Sequence, residues 1–346
     1  MSKHYKSADT IIINGFKIDY LLEVPDTVTT LNLNSVYFYN GGLKETPYNL
    51  KTLSYRYTNI VCAEFPPFLE NLNCSNTSAK ELPPLPHTLK KLDCEYTEIT
   101  ELPPLPPSLE VLNCSCRSLL KLPELPSTLQ YLSCNNSKVT EFPPLPSTLK
   151  QLLCWWTPIP ELPPLPSSLE VLNCSGTNIT ELPPLPPTLQ GLNCSNTKIT
   201  KLPPLPPTLK YLYVNNLNIT ELPPLPPSLE TLECEHTKIT KLPPLPLTLT
   251  KLHCNETPIT ELHHLPLTLQ SVRLYKCPLL FERRHHRVGL KMVWESLQEY
   301  NNRWEEYHAH KSCAAIKEEL MAAAWHPRRV EKWLELGGFE LLDSLE

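Results

Sequence analysis

Glycine is scarce, eight residues in 346, and none of them builds a P-loop or a dinucleotide-binding fingerprint. G-x-S-x-G and H-E-x-x-H are equally missing, so no catalytic residue, cofactor or metal site is expected and the chain does not read as an enzyme. No stretch approaches the ~20 apolar residues of a membrane span. The opening residues MSKHYKSADTIIINGFKIDY hold no apolar core of signal-peptide length. The expectation is a soluble cytoplasmic protein without membrane contact. Charge of one sign is also lacking: 36 acidic against 31 basic residues leave a formal −5, with no broad basic field for nucleic acid.

What abounds is proline, forty residues at fixed offsets between leucines. From residue 81 to 269 a twenty-residue phrase recurs, as in ELPPLPPTLQGLNCSNTKIT at 181–200. Leu189, Leu192, Cys194, Thr197 and Ile199 there spell L-x-x-L-x-C-x-x-T-x-I, the short strand and turn of a leucine-rich repeat. A fixed period of this length means a solenoid, in which each unit buries its apolar face only against its neighbours. Degenerate copies begin at Val28 and Leu50, and regular ones from Leu69 to Leu269, so thirteen turns are expected over residues 28–280.

Within a turn, alternation from Leu189 to Cys194 predicts a short parallel strand. Even-numbered Leu192 and Cys194 should face the core, and odd-numbered Gly191, Asn193 and Ser195 a concave sheet surface. The return segment L-P-P-L-P fixes φ near about −65° and lacks amide donors, which predicts an extended polyproline-like convex side and no helix there. Threonines 77, 97, 157, 177, 197, 237 and 257 fall where a hydroxyl satisfies backbone groups of the turn. Arg117 and Leu217 interrupt that ladder, and a distortion at Cys116-Arg117 should let the guanidinium reach solvent.

Nine of thirteen cysteines, Cys74, Cys94, Cys114, Cys134, Cys154, Cys174, Cys194, Cys234 and Cys254, share one inward repeat position. In register, their Cβ atoms should lie near the ~4.8 Å strand spacing, longer than the ~3.8 Å of a disulfide. Reduced thiols packed as small hydrophobes are expected, in keeping with a reducing compartment. No C-x-x-C pair argues for a thiolate metal site.

Residues 1–27 read as an N-terminal cap with a β-hairpin turning at Asn14-Gly15. Residues 281–346 turn to helix formers, with helices expected over 288–307, over 312–324 and from Pro327 to the Gly337-Gly338 stop; they read as a helical cap on the last edge. The run Arg283, Arg284, His285, His286, Arg287 reads as a solvated link. Outward strand positions carry Tyr131, Leu153, Trp155, Val171, Tyr211 and Tyr213, then Glu233 and Glu235, and these eight are the candidate partner-binding residues. His236 and His253, near Glu233, Glu235 and Glu256, form a weaker candidate for acid/base or metal chemistry.

The phrase L-P-P-L-P-x-x-L-x-x-L-x-C, over about residues 69–280, resembles the short repeat of secreted effectors from enteric bacteria, and still more leucine-rich-repeat proteins of giant DNA viruses. The segment AAAWHPRRVEKWLELGG, 322–338, is similar to a C-terminal segment of those viral proteins. Some such effectors carry a ubiquitin-ligase domain with a catalytic cysteine in C-x-D; here Ala314 and Ala315 follow Cys313, which argues against it. The outward strand residues point to a non-enzymatic protein-binding scaffold with the concave face as recognition surface, and the resemblance implies a viral protein engaging a host protein in host cytoplasm or virion. The alternative is a structural virion or homo-oligomer component packing through the convex strip or the helical tail.

Overall fold

The computed structural model describes residues 5–6, 9–13, 15, 17–18, 24–39, 46–60, 62–260, 262 and 265–278. The expected C-terminal helices, the basic run and Cys313 fall outside them. The strands are β1 (Tyr5–Lys6), β2 (Thr10–Ile12), β3 (Lys17–Ile18), β4 (Thr30–Asn32), β5 (Tyr37–Phe38), β6 (Thr52–Ser54) and β7 (Asn71–Asn73). There follow β8 (Lys91–Asp93), β9 (Val111–Asn113), β10 (Tyr131–Ser133), β11 (Gln151–Leu153), β12 (Val171–Asn173) and β13 (Gly191–Asn193). The last are β14 (Tyr211–Tyr213), β15 (Thr231–Glu233), β16 (Lys251–His253) and β17 (Ser271–Arg273). The chain forms two compact units, Met1–Ile199 and Thr200–Glu346.

In the first unit β2, β4 and β6 to β13 pair in parallel, each in register with the next. In the second, β14 to β17 do the same. Both are stacks of parallel-strand coils, and among the described residues no helix occurs. The Asn14-Gly15 hairpin needs correction. The strands flanking it do not pair with each other: β2 pairs in parallel with β4 and antiparallel with β1, while β3 pairs with β5. Gly15, at φ +73°, stands one period before Ser35 at φ 60°, so its left-handed conformation serves a coil turn.

The interior is made of columns. Leu129, Leu132 and Cys134 are fully buried, as are their equivalents in neighbouring coils. The cysteine position is taken by Tyr55 in the first unit and by Val214 in the second, both buried, so it accepts apolar side chains of several sizes. All twelve described cysteines are free, eleven of them buried. Burial pushes the thiols of Cys134 and Cys174 up to about 12, which makes them inert packing groups.

Two hydroxyl ladders run along the coils, one closing the turns and one joining neighbouring coils. Thr77, Thr97, Thr157, Thr177, Thr197, Thr237 and Thr257 each donate to the carbonyl of the cysteine three residues earlier, at 2.7–2.8 Å. The second ladder went unread in the sequence. Thr88, Ser108, Thr128, Thr148, Ser168 and Thr188 each donate to a leucine carbonyl of the preceding coil at 2.7–2.8 Å. The proline-rich return segments offer few amide donors, and these hydroxyls take their place.

At Cys116 the first ladder shifts by one residue. Cys116 is fully buried, its Sγ 3.0 Å from the Cys94 carbonyl and 3.1 Å from Thr97 Oγ1. Arg117 is thereby exposed, as its cost of burial demands.

Candidate functional site

Register fixes which candidate residues are neighbours. In the first unit Tyr131 and Val171 flank Gln151 in one row across β10, β11 and β12, and Leu153 lies between Ser133 and Asn173 in the next. Tyr131, Leu153, Trp155 and Val171 are all partly buried. Simple odd/even alternation fails elsewhere on this face. Gly191 and Ser195 are both buried, and a Val171 methyl lies 3.8 Å from where a Gly191 Cβ would be.

The face is organised by the amide just after each cysteine. It needs an acceptor as the chain leaves the strand, and a strand-end Asn or Asp provides one within the coil. Asn73 accepts from the Ser75 amide, Asp93 from Glu95, Asn173 from Ser175 and Asn193 from Ser195, at 3.1–3.3 Å. In three coils whose strand ends in some other residue, the preceding coil supplies the acceptor. Asn135 Oδ1 accepts from the Trp155 amide at 3.0 Å, Asn215 from Glu235 at 2.8 Å and Asn255 from Tyr275 at 2.8 Å. Leu153, Glu233 and Arg273 are therefore relieved of turn capping, and their side chains are open to other use.

One aromatic was missed. Trp156 takes the left-handed turn position at φ 56° and is 61% exposed. Its indole lies over Gly176, where an added Cβ would stand 2.9 Å from Cδ2. The doublet Trp155-Trp156 beside Gly176 was a visible signal, but strand alternation alone gives no reason to look beyond Trp155.

In the second unit Tyr213, Glu233, His253 and Arg273 form one row across β14 to β17. Tyr211 is 40% exposed and its hydroxyl donates to Glu230 at 3.4 Å. Burial and the nearby Glu233 carboxylate push the Tyr213 phenol up. Burial alone would raise the Glu233 carboxyl, but hydrogen bonds from Lys251 and Asn215 outweigh it and hold the group below its usual range. Glu235 accepts from Asn255 Nδ2 at 2.7 Å.

His253 is only 3% exposed. Its Nε2 is 2.9 Å from Ser271 Oγ, while Nδ1 stands 3.6 Å from Glu233 and 3.9 Å from Glu235. Burial, with the charges of Lys251 and Arg273, lowers it to about 4, so the ring is neutral at physiological pH. His236 pairs separately with Glu256 at 3.4 Å. The two histidines thus serve different contacts, and among the described residues no His/Cys/Asp/Glu group is arranged to hold a metal ion.

Columns, registered strands and capped turns define a leucine-rich-repeat solenoid. The family described as Leucine Rich repeats (2 copies) matches residues 167–207. Among solved structures, YopM from Yersinia enterocolitica is similar at TM-score 0.75 and 34% identity, over 79% of this chain and 60% of that one. YopM from Yersinia pestis, a leucine-rich effector protein, gives 0.58 and 29% over 73% of this chain and 84% of that one. The functional domain of InlJ from Listeria monocytogenes, which includes a cysteine ladder, shares the fold at 0.50 and 20%, over 77% and 68%. This chain therefore spans 60% of the Yersinia enterocolitica chain it matches. No curated protein matches the sequence.

Proposed function

We propose that the chain is a non-enzymatic scaffold that binds a protein partner on the outer strand face. The observation that carries this is the capping pattern around Leu153 and Trp155. That coil has no cap of its own at the strand end and takes one from Asn135, which leaves two apolar side chains on the face with no turn-building duty. Rigid aromatic anchors are favoured in interfaces because they bury area at small entropic cost. The likeness to a Yersinia effector protein supports an interaction role.

The same reading takes the chain as a viral protein acting in host cytoplasm. Its support is the sequence resemblance of the repeat and of residues 322–338, together with free buried thiols that suit a reducing compartment.

Affinity capture from host-cell extract tests it, with Leu153→Ser/Trp155→Ser and Tyr211→Ser/Tyr213→Ser as separate face variants. Loss of a hot-spot cluster should weaken partner capture by at least ~2 kcal/mol, about thirtyfold, with the melting temperature nearly unchanged. Undiminished capture by both folded variants would sink the strand-face assignment.

A further inference from the structure

The turn-edge column of the first unit holds an unsolved expense of conformation. At its left-handed positions Asn76, Asn136 and Asn196 sit comfortably, and Gly176 more so. Trp156 holds the same backbone at φ 56°, as do Tyr57 at 55° and Tyr96 at 53°, but Trp156 is the one seated on a glycine of the next coil. Bulky residues adopt that conformation only against steric resistance. The indole adds nothing to the core, since it is mostly exposed, and Gly176 beneath it fixes one orientation. A pre-oriented, exposed indole is built to be covered by something flat and apolar.

The chain itself presents such a surface. Most return segments expose proline, with Pro144, Pro164, Pro184 and Pro187 exposed beside partly exposed Leu145, Leu165 and Leu185. Proline pre-sets its backbone, so packing against it orders little new chain, and aromatic side chains are the usual partners of such strips. A column of exposed glutamates, Glu141, Glu161 and Glu181, runs beside these prolines, while exposed Lys138 lies one coil before the Trp156 turn. Tryptophan with lysine on one surface complements proline with glutamate on the other.

We propose that Trp156 docks on the proline strip of a second copy of this chain. Two different patches meet in such a contact, so it is heterologous and grows into open-ended chains unless a rotation closes it. The inference goes beyond partner binding on the strand face and does not depend on it.

Sedimentation velocity of the full chain, from low to high micromolar, provides the test. Wild type should show a sedimentation coefficient that rises with concentration. Trp156→Asn, a residue the same column already uses at Asn136, should keep the fold and weaken association about tenfold or more. Pro164→Glu/Pro184→Glu should do the same from the other side, and an equimolar mixture of the two variants should recover pairing, since each retains the patch the other lacks. Wild type that stays monomeric throughout, or Trp156→Asn that associates like wild type, would overturn the proposal. So would association untouched by the strip variant, which would remove the second copy's prolines as occupant.

Discussion

The strand faces of the two units use the same backbone for opposite chemistry. In the first, Tyr131, Leu153, Trp155 and Val171 present apolar surface; in the second, Lys251 ion-pairs with Glu233, Asn255 donates to Glu235 and neutral His253 hydrogen-bonds with Ser271. Beneath each lie buried leucines and cysteines at equivalent repeat positions, such as Leu152 with Cys154 and Leu232 with Cys234. The solenoid is thus specified from inside, and the outer residues vary because turn capping can come from the coil itself or from its neighbour.

The sharpest way to break that comparison is to exchange one inside and one outside residue of the same strand. Leu152→Ala should cost about 2–5 kcal/mol, since Leu152 is fully buried between Leu132 and Leu172. Leu153→Ser should stay within about 1 kcal/mol. Urea unfolding followed by circular dichroism measures both. Equal losses would mean that the apolar face is a second core and not a recognition surface.

The second face should differ from the first in its response to acid. His253 stays neutral in the fold down to about pH 4, whereas an unfolded histidine takes up its proton near about 6.5. Its contribution is therefore fully present above the unfolded value and is lost as pH falls from 6.5 towards 4, by at most roughly 3 kcal/mol. The groups facing it are Glu233, Glu235, Lys251 and Arg273. His253→Gln should flatten stability against pH across this window. A wild-type profile already matching the Gln variant there would show that the ring charges inside the fold without penalty.

Periodicity made the coils legible, because each apolar column repeats at one offset, and it made the outward position of Tyr211 legible too. The Asn14-Gly15 turn was misread for a physical reason: the left-handed residue that a tight hairpin needs is also what a coil turn needs, and only pairing distinguishes them. The Ser/Thr column at Thr88, Ser108 and Thr128 was visible as a repeat. Its purpose was not, because the carbonyl it serves belongs to the coil before. Trp156 escaped because side-chain alternation ends where the left-handed turn begins.

The smallest expected effect tests the capping rule itself. Asn135 holds the Trp155 amide through Oδ1 and Ser133 Oγ through Nδ2 at 2.9 Å, and its own amide donates to Ser115 Oγ at 3.2 Å. Asn135→Ala removes both side-chain bonds and should cost about 1–2 kcal/mol, leaving a partly buried amide without its acceptor. Leu153→Asn places at the strand end the residue that Asn173 already is, where Oδ1 accepts from the amide two residues on at 3.2 Å. The double variant should then recover about 1 kcal/mol of the loss, read as a coupling energy in a double-mutant cycle from urea unfolding. The Ser133 bond stays broken, so recovery is partial. If Leu153→Asn returns nothing, the Trp155 amide does not depend on a cap from the neighbouring coil, and Leu153 owes its freedom on the outer face to something other than Asn135.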